Sequence, residues 1–149
     1  MVQENIFEKN ILIVYHYSPK NYSLLLNTIQ RYKNKAKKIL VISFDTPLHE
    51  RKNIVETINS LREIKLDHII FELNEINSPF FILLKRSKCY YCKSIRYSLL
   101  RRIFGEKIEI IDLEYPSEKH EDVFKAAREN NIILLEGDTV CKYCSLRKV

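Results

Sequence analysis

The chain has 149 residues, 30% of them charged, and a formal net charge of +6, which is enough for one ordinary domain with a core of its own. Its only glycines are Gly105 and Gly137, which excludes a Walker A loop and a Gly-x-Gly-x-x-Gly turn, because both need several residues with no side chain against the phosphates. No apolar run approaches the roughly 18 residues of a membrane span, and MVQENIFEKN lacks the basic and apolar regions of a signal peptide, so a soluble, cytoplasmic chain with no membrane partner is expected.

Taken in order, short apolar runs alternate with amphipathic stretches. Ile11 to Tyr15 reads as a buried strand; Ser18-Pro19 then gives a helix N-cap and N1 proline, and Leu25, Leu26, Ile29 and Tyr32 recur at helical spacing. Lys38 to Phe44 reads as a second strand, and Thr46-Pro47 repeats the cap signature ahead of a helix with Ile54, Ile58 and Leu61 on one face. Asp67 to Leu73 is a third strand. A cysteine-bearing segment leads into a helix with Ile95, Leu99 and Ile103 on one side, and Ile108 to Asp112 makes a fourth strand. Ser117 to Asn130 reads as a polar helix and Ile132 to Glu136 as a fifth strand. The alternation predicts an α/β domain spanning 1–149: a parallel, Rossmann-type sheet of about five strands with helices on both faces.

Ligands of such sheets bind beyond the carboxyl ends of the strands. The first of those connections opens a helix, so Ser18, Lys20, Asn21 and Ser23, with Asp45 at the end of the second strand, are candidate nucleotide or anion ligands; the competing reading is an ordinary capped helix. His16 and His49 also stand at strand ends, but each of the four histidines, taken singly, reads as a surface or packing residue. Glu118 to Asp122 reads equally as an acid-base cluster and as the solvated first turn of a helix.

All four cysteines fall in two CxxC pairs, Cys89/Cys92 and Cys141/Cys144. A CxxC turn presents two sulfurs together, and two such turns close a tetrahedron, so one metal centre with zinc is the first expectation and an iron-sulfur cluster the second. The third is dithiol redox chemistry, since a pair just ahead of a helix gains a lowered thiol pKa from the helix terminus and nearby cations. From Ile76 to Gly105 there is no Asp or Glu, while Lys85, Arg86, Lys88, Lys93, Arg96, Arg101 and Arg102 all fall there. With Tyr90, Tyr91, Tyr97 and Tyr143 nearby, this is the cation-aromatic mixture that binds nucleic acid, and RNA or a nucleotide-bearing partner is expected on this basic face.

VISFDTPLHERKNIVETINSLREIKLDHIIFE followed by KCYYCKSIRYSLL resembles the central part of the LarE-type PP-loop proteins, ATP-dependent sacrificial sulfur transferases that make a nickel-pincer cofactor. Asp45-Thr46-Pro47 corresponds to that family's Asp-Ser-Pro, and Cys89 through Lys93 to its CYYCK motif, the more specific match. The similarity runs from about Ile11 to Gly137 and implies a PP-loop (HUP-like) fold, ATP as cofactor and sulfur transfer as activity. Where the family grips pyrophosphate with Ser-Gly-Gly-x-Asp-Ser, this chain has Tyr17-Ser18-Pro19-Lys20-Asn21-Tyr22, and it lacks the family's C-terminal portion. The reading is therefore a degenerate, truncated PP-loop-like domain with a four-cysteine zinc centre, a nucleotide- or RNA-associated binding protein linked to sulfur transfer. The alternatives are an active ATP-dependent sulfur transferase with an iron-sulfur cluster, and a CxxC dithiol oxidoreductase.

Overall fold

Ile11, Leu12, Ile13 and Val14 are all 2% exposed or less, so the first strand is apolar on both faces and needs a partner strand on each edge. The computed structural model, which describes residues 9–47, 49–74, 88–115 and 121–139, supplies both partners. Strands β1 (Lys9–Val14), β2 (Ala36–Asp45), β3 (Asp67–Glu72), β4 (Glu109–Tyr115) and β5 (Ile133–Glu136) form one sheet in the order β3-β2-β1-β4-β5. Every pairing is parallel, with Ile13 beside Val41 on one edge and Ile111 on the other. This is the α/β, Rossmann-type parallel sheet that the alternation of strands and helices predicts. The order reverses between β1 and β4, which opens the ligand crevice of such sheets at the carboxyl ends of these two strands.

Helices α1 (Pro19–Tyr32), α2 (Arg51–Ile64), α3 (Lys88–Phe104) and α4 (Glu121–Asn130) cover the two faces. Alternation along β1 divides the core: Leu12 and Val14 pack with Tyr97, Leu100, Ala126 and Ala127 of α3 and α4, while Ile11, Ile13 and Tyr15 pack with Leu25 of α1 and Leu61 of α2. Ser18 caps α1 as the sequence predicts, its hydroxyl accepting the Asn21 amide at 2.9 Å. Among the described residues, no helix is long and apolar enough to cross a membrane.

Two expectations are corrected. Thr46-Pro47 does not cap α2, whose N-cap is Glu50 without a side-chain bond. Thr46 Oγ1 lies 2.9 Å from His49 Nδ1 instead, and the His49 amide donates to the Thr46 carbonyl at 3.0 Å, so the hydroxyl is spent inside a turn. Among the described side chains of α3 the buried ones are Cys92, Arg96, Tyr97, Leu100 and Arg101; of the predicted stripe, Leu99 packs half-buried against the core, Ile95 is half-buried, and Ile103 is 49% exposed. Arg101 goes inward because its guanidinium donates to the carbonyls of Gly105, Ile108, Asn130 and Asn131 at 2.7–3.1 Å, filling the acceptors left at the ends of α3 and α4.

The corrected face has a direct test by chemical denaturation. Leu100→Ala should cost about 2–5 kcal/mol, whereas Ile103→Ala should stay within about 1 kcal/mol of the parent.

Candidate functional site

Asp112 and Glu114 lie two apart near the end of β4, are 0% and 3% exposed, and face the switch point. Two carboxylates in so dry a place must be neutralised and fully hydrogen-bonded. Asp112 Oδ2 accepts from Lys93 Nζ at 2.9 Å and from the Tyr97 hydroxyl at 2.5 Å, and its Oδ1 accepts the Glu114 amide at 3.0 Å. Glu114 has His16 Nδ1 at 2.8 Å and Lys93 Nζ at 3.6 Å. Lys93 and Tyr97 stand four apart on α3, one helical turn, so they reach the same acid together.

Protonation follows from this packing. Burial alone would raise the Glu114 carboxyl, but His16 and Lys93 outweigh it and hold the group well below the usual carboxylate range. Burial opposes the Lys93 charge, and Asp112 and Glu114 overcome it, so its ammonium pKa is raised. Burial and then the Asp112 carboxylate push the Tyr97 hydroxyl up, which keeps it a donor. His49 is held neutral, chiefly by burial and then by His16 and Arg96.

His16 is the pivot. It is 0% exposed, with Nε2 2.8 Å from the Phe44 carbonyl and 3.2 Å from the Phe44 amide, so one ring joins the end of β2 to Glu114 on β4. The His49 ring stacks on it with centroids 4.0 Å apart and 13° between planes. Donor atoms of His16, His49 and Glu114 all come within 4.8 Å of one another, and two histidines with a glutamate form a zinc-binding set elsewhere. Here, however, stacking puts the ring lone pairs in nearly parallel planes that do not converge on one ion, and Lys93 already brings a positive charge to Glu114. The cluster is a charge network filling the crevice.

The β1–α1 connection is closed in the same way. The Tyr17 amide donates to Thr57 Oγ1 at 2.9 Å, the Tyr22 amide to the Ser18 carbonyl at 2.8 Å, and Pro19 has no N–H to offer. Asn21, 0% exposed, accepts the Asp138 amide at 2.7 Å and donates to the carbonyls of Asp138 and His16 at 2.8 and 3.0 Å. Gly137 lets this happen: a Cβ there would lie 1.8 Å from the Leu113 carbonyl oxygen and 2.4 Å from Asn21 Oδ1. Of the predicted anion ligands, Lys20 and Ser23 are exposed, Ser18 and Asn21 are engaged internally, and Asp45 pairs with Arg51.

Space remains beside this filled crevice. A cleft of about 750 Å³ opens at the carboxyl ends of β2 and β3, walled by Asp45, Thr46 and Pro47 on one side and Glu72, Leu73 and Asn74 on the other. His49, Glu50 and Arg51 complete its lining. The strand ends are locked together by the Leu73 amide, which donates to the Asp45 carbonyl at 3.0 Å.

Of the basic residues, Lys93, Arg96 and Arg101 turn inward, Arg96 being 3% exposed and 5.5 Å from the Phe44 ring, while Arg102 is exposed. Lys85, Arg86, Cys141 and Cys144 lie outside the described residues, as do the side chains of Lys88 and Cys89; Cys92 is 7% exposed. Sequence reasoning placed His16 and His49 at strand ends but did not join them to Glu114, Asp112 and Tyr97. The available signal was that one β-α-β unit after another ended in a titratable residue.

No family model matches the chain. No curated protein matches it. Among solved structures it is similar to an NH3-dependent NAD synthetase from Campylobacter jejuni in complex with nitrate ion, with 12% identity, TM-score 0.55, and 84% of this chain aligned to 65% of that one. A predicted subunit of tRNA methyltransferase from Methanocaldococcus jannaschii aligns over 93% of this chain and 71% of its own at 10% identity and TM-score 0.53. An NMN synthetase from Francisella tularensis aligns over 84% of this chain and 63% of its own at 7% identity and TM-score 0.53. The chain thus spans a little under two thirds of the two synthetases, and what they share is the fold.

One half-buried and one buried histidine make stability depend on acid. His68, whose pKa burial and then His16 push down to about 4, and His49 both have folded pKa values below the unfolded value near 6.5, so their stabilisation is full above about pH 6.5 and drains away as pH falls. Glu114 adds a further loss below about pH 4.3. Urea titrations between pH 7 and 4 should show a steadily falling midpoint, and His68→Gln should flatten the upper part of that slope.

Proposed function

We propose that the chain is a nucleoside-binding protein of PP-loop-like fold in which protein side chains have taken the place of the phosphates. The observation that carries this is the contrast between a switch-point crevice filled by His16, Asn21 and Glu114, all 3% exposed or less, and the adjoining cleft of about 750 Å³, a size that suits a small ligand. The fold neighbours support the reading, being synthetases of NAD and NMN and a predicted tRNA methyltransferase subunit. With Lys93, Arg96 and Arg101 committed internally, recognition of a nucleotide-bearing partner, RNA included, falls to the cleft rather than to the exposed side of α3.

The same proposal gathers Cys89, Cys92, Cys141 and Cys144 around one zinc ion. Cys92, buried at 7% on α3 three residues after Cys89, suits a closed structural ligand better than a reactive thiol, which needs exposure. The match of Cys89 to Lys93 with the CYYCK motif ties the centre to sulfur-transfer proteins. In the second reading the chain is itself an ATP-dependent sulfur transferase, and the centre holds an iron-sulfur cluster.

Two measurements separate these readings. Calorimetry should show nucleosides binding at least as tightly as ATP, with no AMP or pyrophosphate released from ATP; release of pyrophosphate would transfer the assignment to the sulfur transferase. Anaerobic purification should give one zinc per chain, no acid-labile sulfide and no visible absorbance, with the zinc lost in Cys92→Ser; iron with sulfide would establish the second reading.

A further inference from the structure

The β2–β3 cleft has a chemistry of its own. Asp45 is the last residue of β2, and its side chain is only 18% exposed. Its two carboxylate oxygens are bound by the two terminal nitrogens of one guanidinium, that of Arg51, Oδ2 at 3.0 Å from Nη1 and Oδ1 by Nη2. This is the fork-on-fork arrangement in which a carboxylate takes two parallel N–H bonds from donors on one carbon. The pair is bidentate, but the Arg51 side chain is 68% exposed, so water and any incoming donor compete with it for the carboxylate. Arg51 is thus a displaceable occupant of a fixed acceptor fork.

The rest of the lining limits what can displace it. Among the described lining residues Glu50 and Glu72 join Asp45 against one cation, Arg51, so this lining favours hydrogen-bond donors over phosphate. Its volume, about 750 Å³, far exceeds a lone guanidinium, and Pro47 and Leu73 supply apolar wall for a flat ring. His49, 3% exposed and part of the same lining, keeps its Nε2 without a hydrogen-bond partner. Among the nucleobases guanine alone carries two adjacent donors on one edge, N1–H and the 2-amino group. Adenine sets an acceptor beside its amine, uracil has one N–H between two carbonyls, and neutral cytosine has one amine.

We propose that this cleft reads a guanine base, Asp45 accepting from N1–H and the 2-amino group in place of Arg51, with the ribose and any phosphate directed outward. The inference rests on the nucleoside-binding reading and narrows it to one base. No bond is made or broken.

The test is calorimetric titration of the whole chain with guanosine, inosine, adenosine and agmatine. Inosine differs from guanosine only by lacking the 2-amino group and should bind about tenfold more weakly, the worth of one charge-assisted bond. Asp45→Asn, nearly isosteric at a strand end, should abolish that difference, and Arg51→Ala, at an exposed position, should tighten guanosine binding by removing the competitor. Equal binding of guanosine and inosine, or a preference for adenosine, would overturn the guanine assignment while leaving a nucleoside cleft in place. Agmatine binding as well as guanosine would instead make this a guanidinium site. If no nucleoside binds, the reading beneath the inference fails with it.

Discussion

Two carboxylates buried on one strand set the terms for everything around the carboxyl end of this sheet. Asp112 and Glu114 lose their water on folding, a cost recovered only through well-placed partners, and those partners come from three parts of the chain. His16 extends from the end of β1, Lys93 and Tyr97 from α3, and the Glu114 amide from β4 itself. Removing one member would strand a charge in the interior, so the group behaves as a unit. The requirement explains why an ammonium with a side chain only 12% exposed is kept on the inner side of α3.

The network also governs the cysteine helix. Lys93 and Tyr97 follow Cys92 on α3 and pin its N-terminal half to β4, so the position of Cys92 is inherited from a salt-bridged acid and not from apolar packing alone. On the opposite side of the switch point, His49 touches both worlds: its ring lies on His16, while its own turn, tied to Thr46, forms part of the cleft wall. The crevice and the cleft therefore share a partition. A ligand in the cleft would meet a surface whose shape is fixed by charges it never contacts.

The strands were legible because a parallel strand buried on both faces is a nearly continuous apolar run, as Ile11 to Tyr15 is and as Val41 to Phe44 is apart from the buried Ser43. The cap at Ser18 was legible because its partner, the Asn21 amide, is local. What failed had nonlocal causes. Thr46 looks like a cap until its hydroxyl is seen to meet His49. The inner face of α3 hides behind Arg96 and Arg101, which any periodicity argument assigns to water, and their burial depends on a ring of β2 and on carbonyls at the ends of two helices. His16, His49 and Glu114 become neighbours only through the register that sets β2 and β4 on either side of β1, and no spacing in the sequence carries that register.

The strand order has a consequence for the history of each molecule. β1 is the central strand, yet Ile11 bonds on one side to Ile39 and on the other to Glu109, which the ribosome delivers far later. Until β4 emerges, the most apolar strand of the protein can be sheathed along one edge only, and the other edge remains an open template for pairing with another chain. The acidic pair arrives with β4 itself, so the strand that covers the second edge of β1 also brings the charges His16 and Lys93 need. Coverage of the second edge of β1 and neutralisation of the interior beside it are thus a single late event, and a nascent chain halted before β4 would expose a hydrophobic edge together with a buried-type histidine lacking its acid.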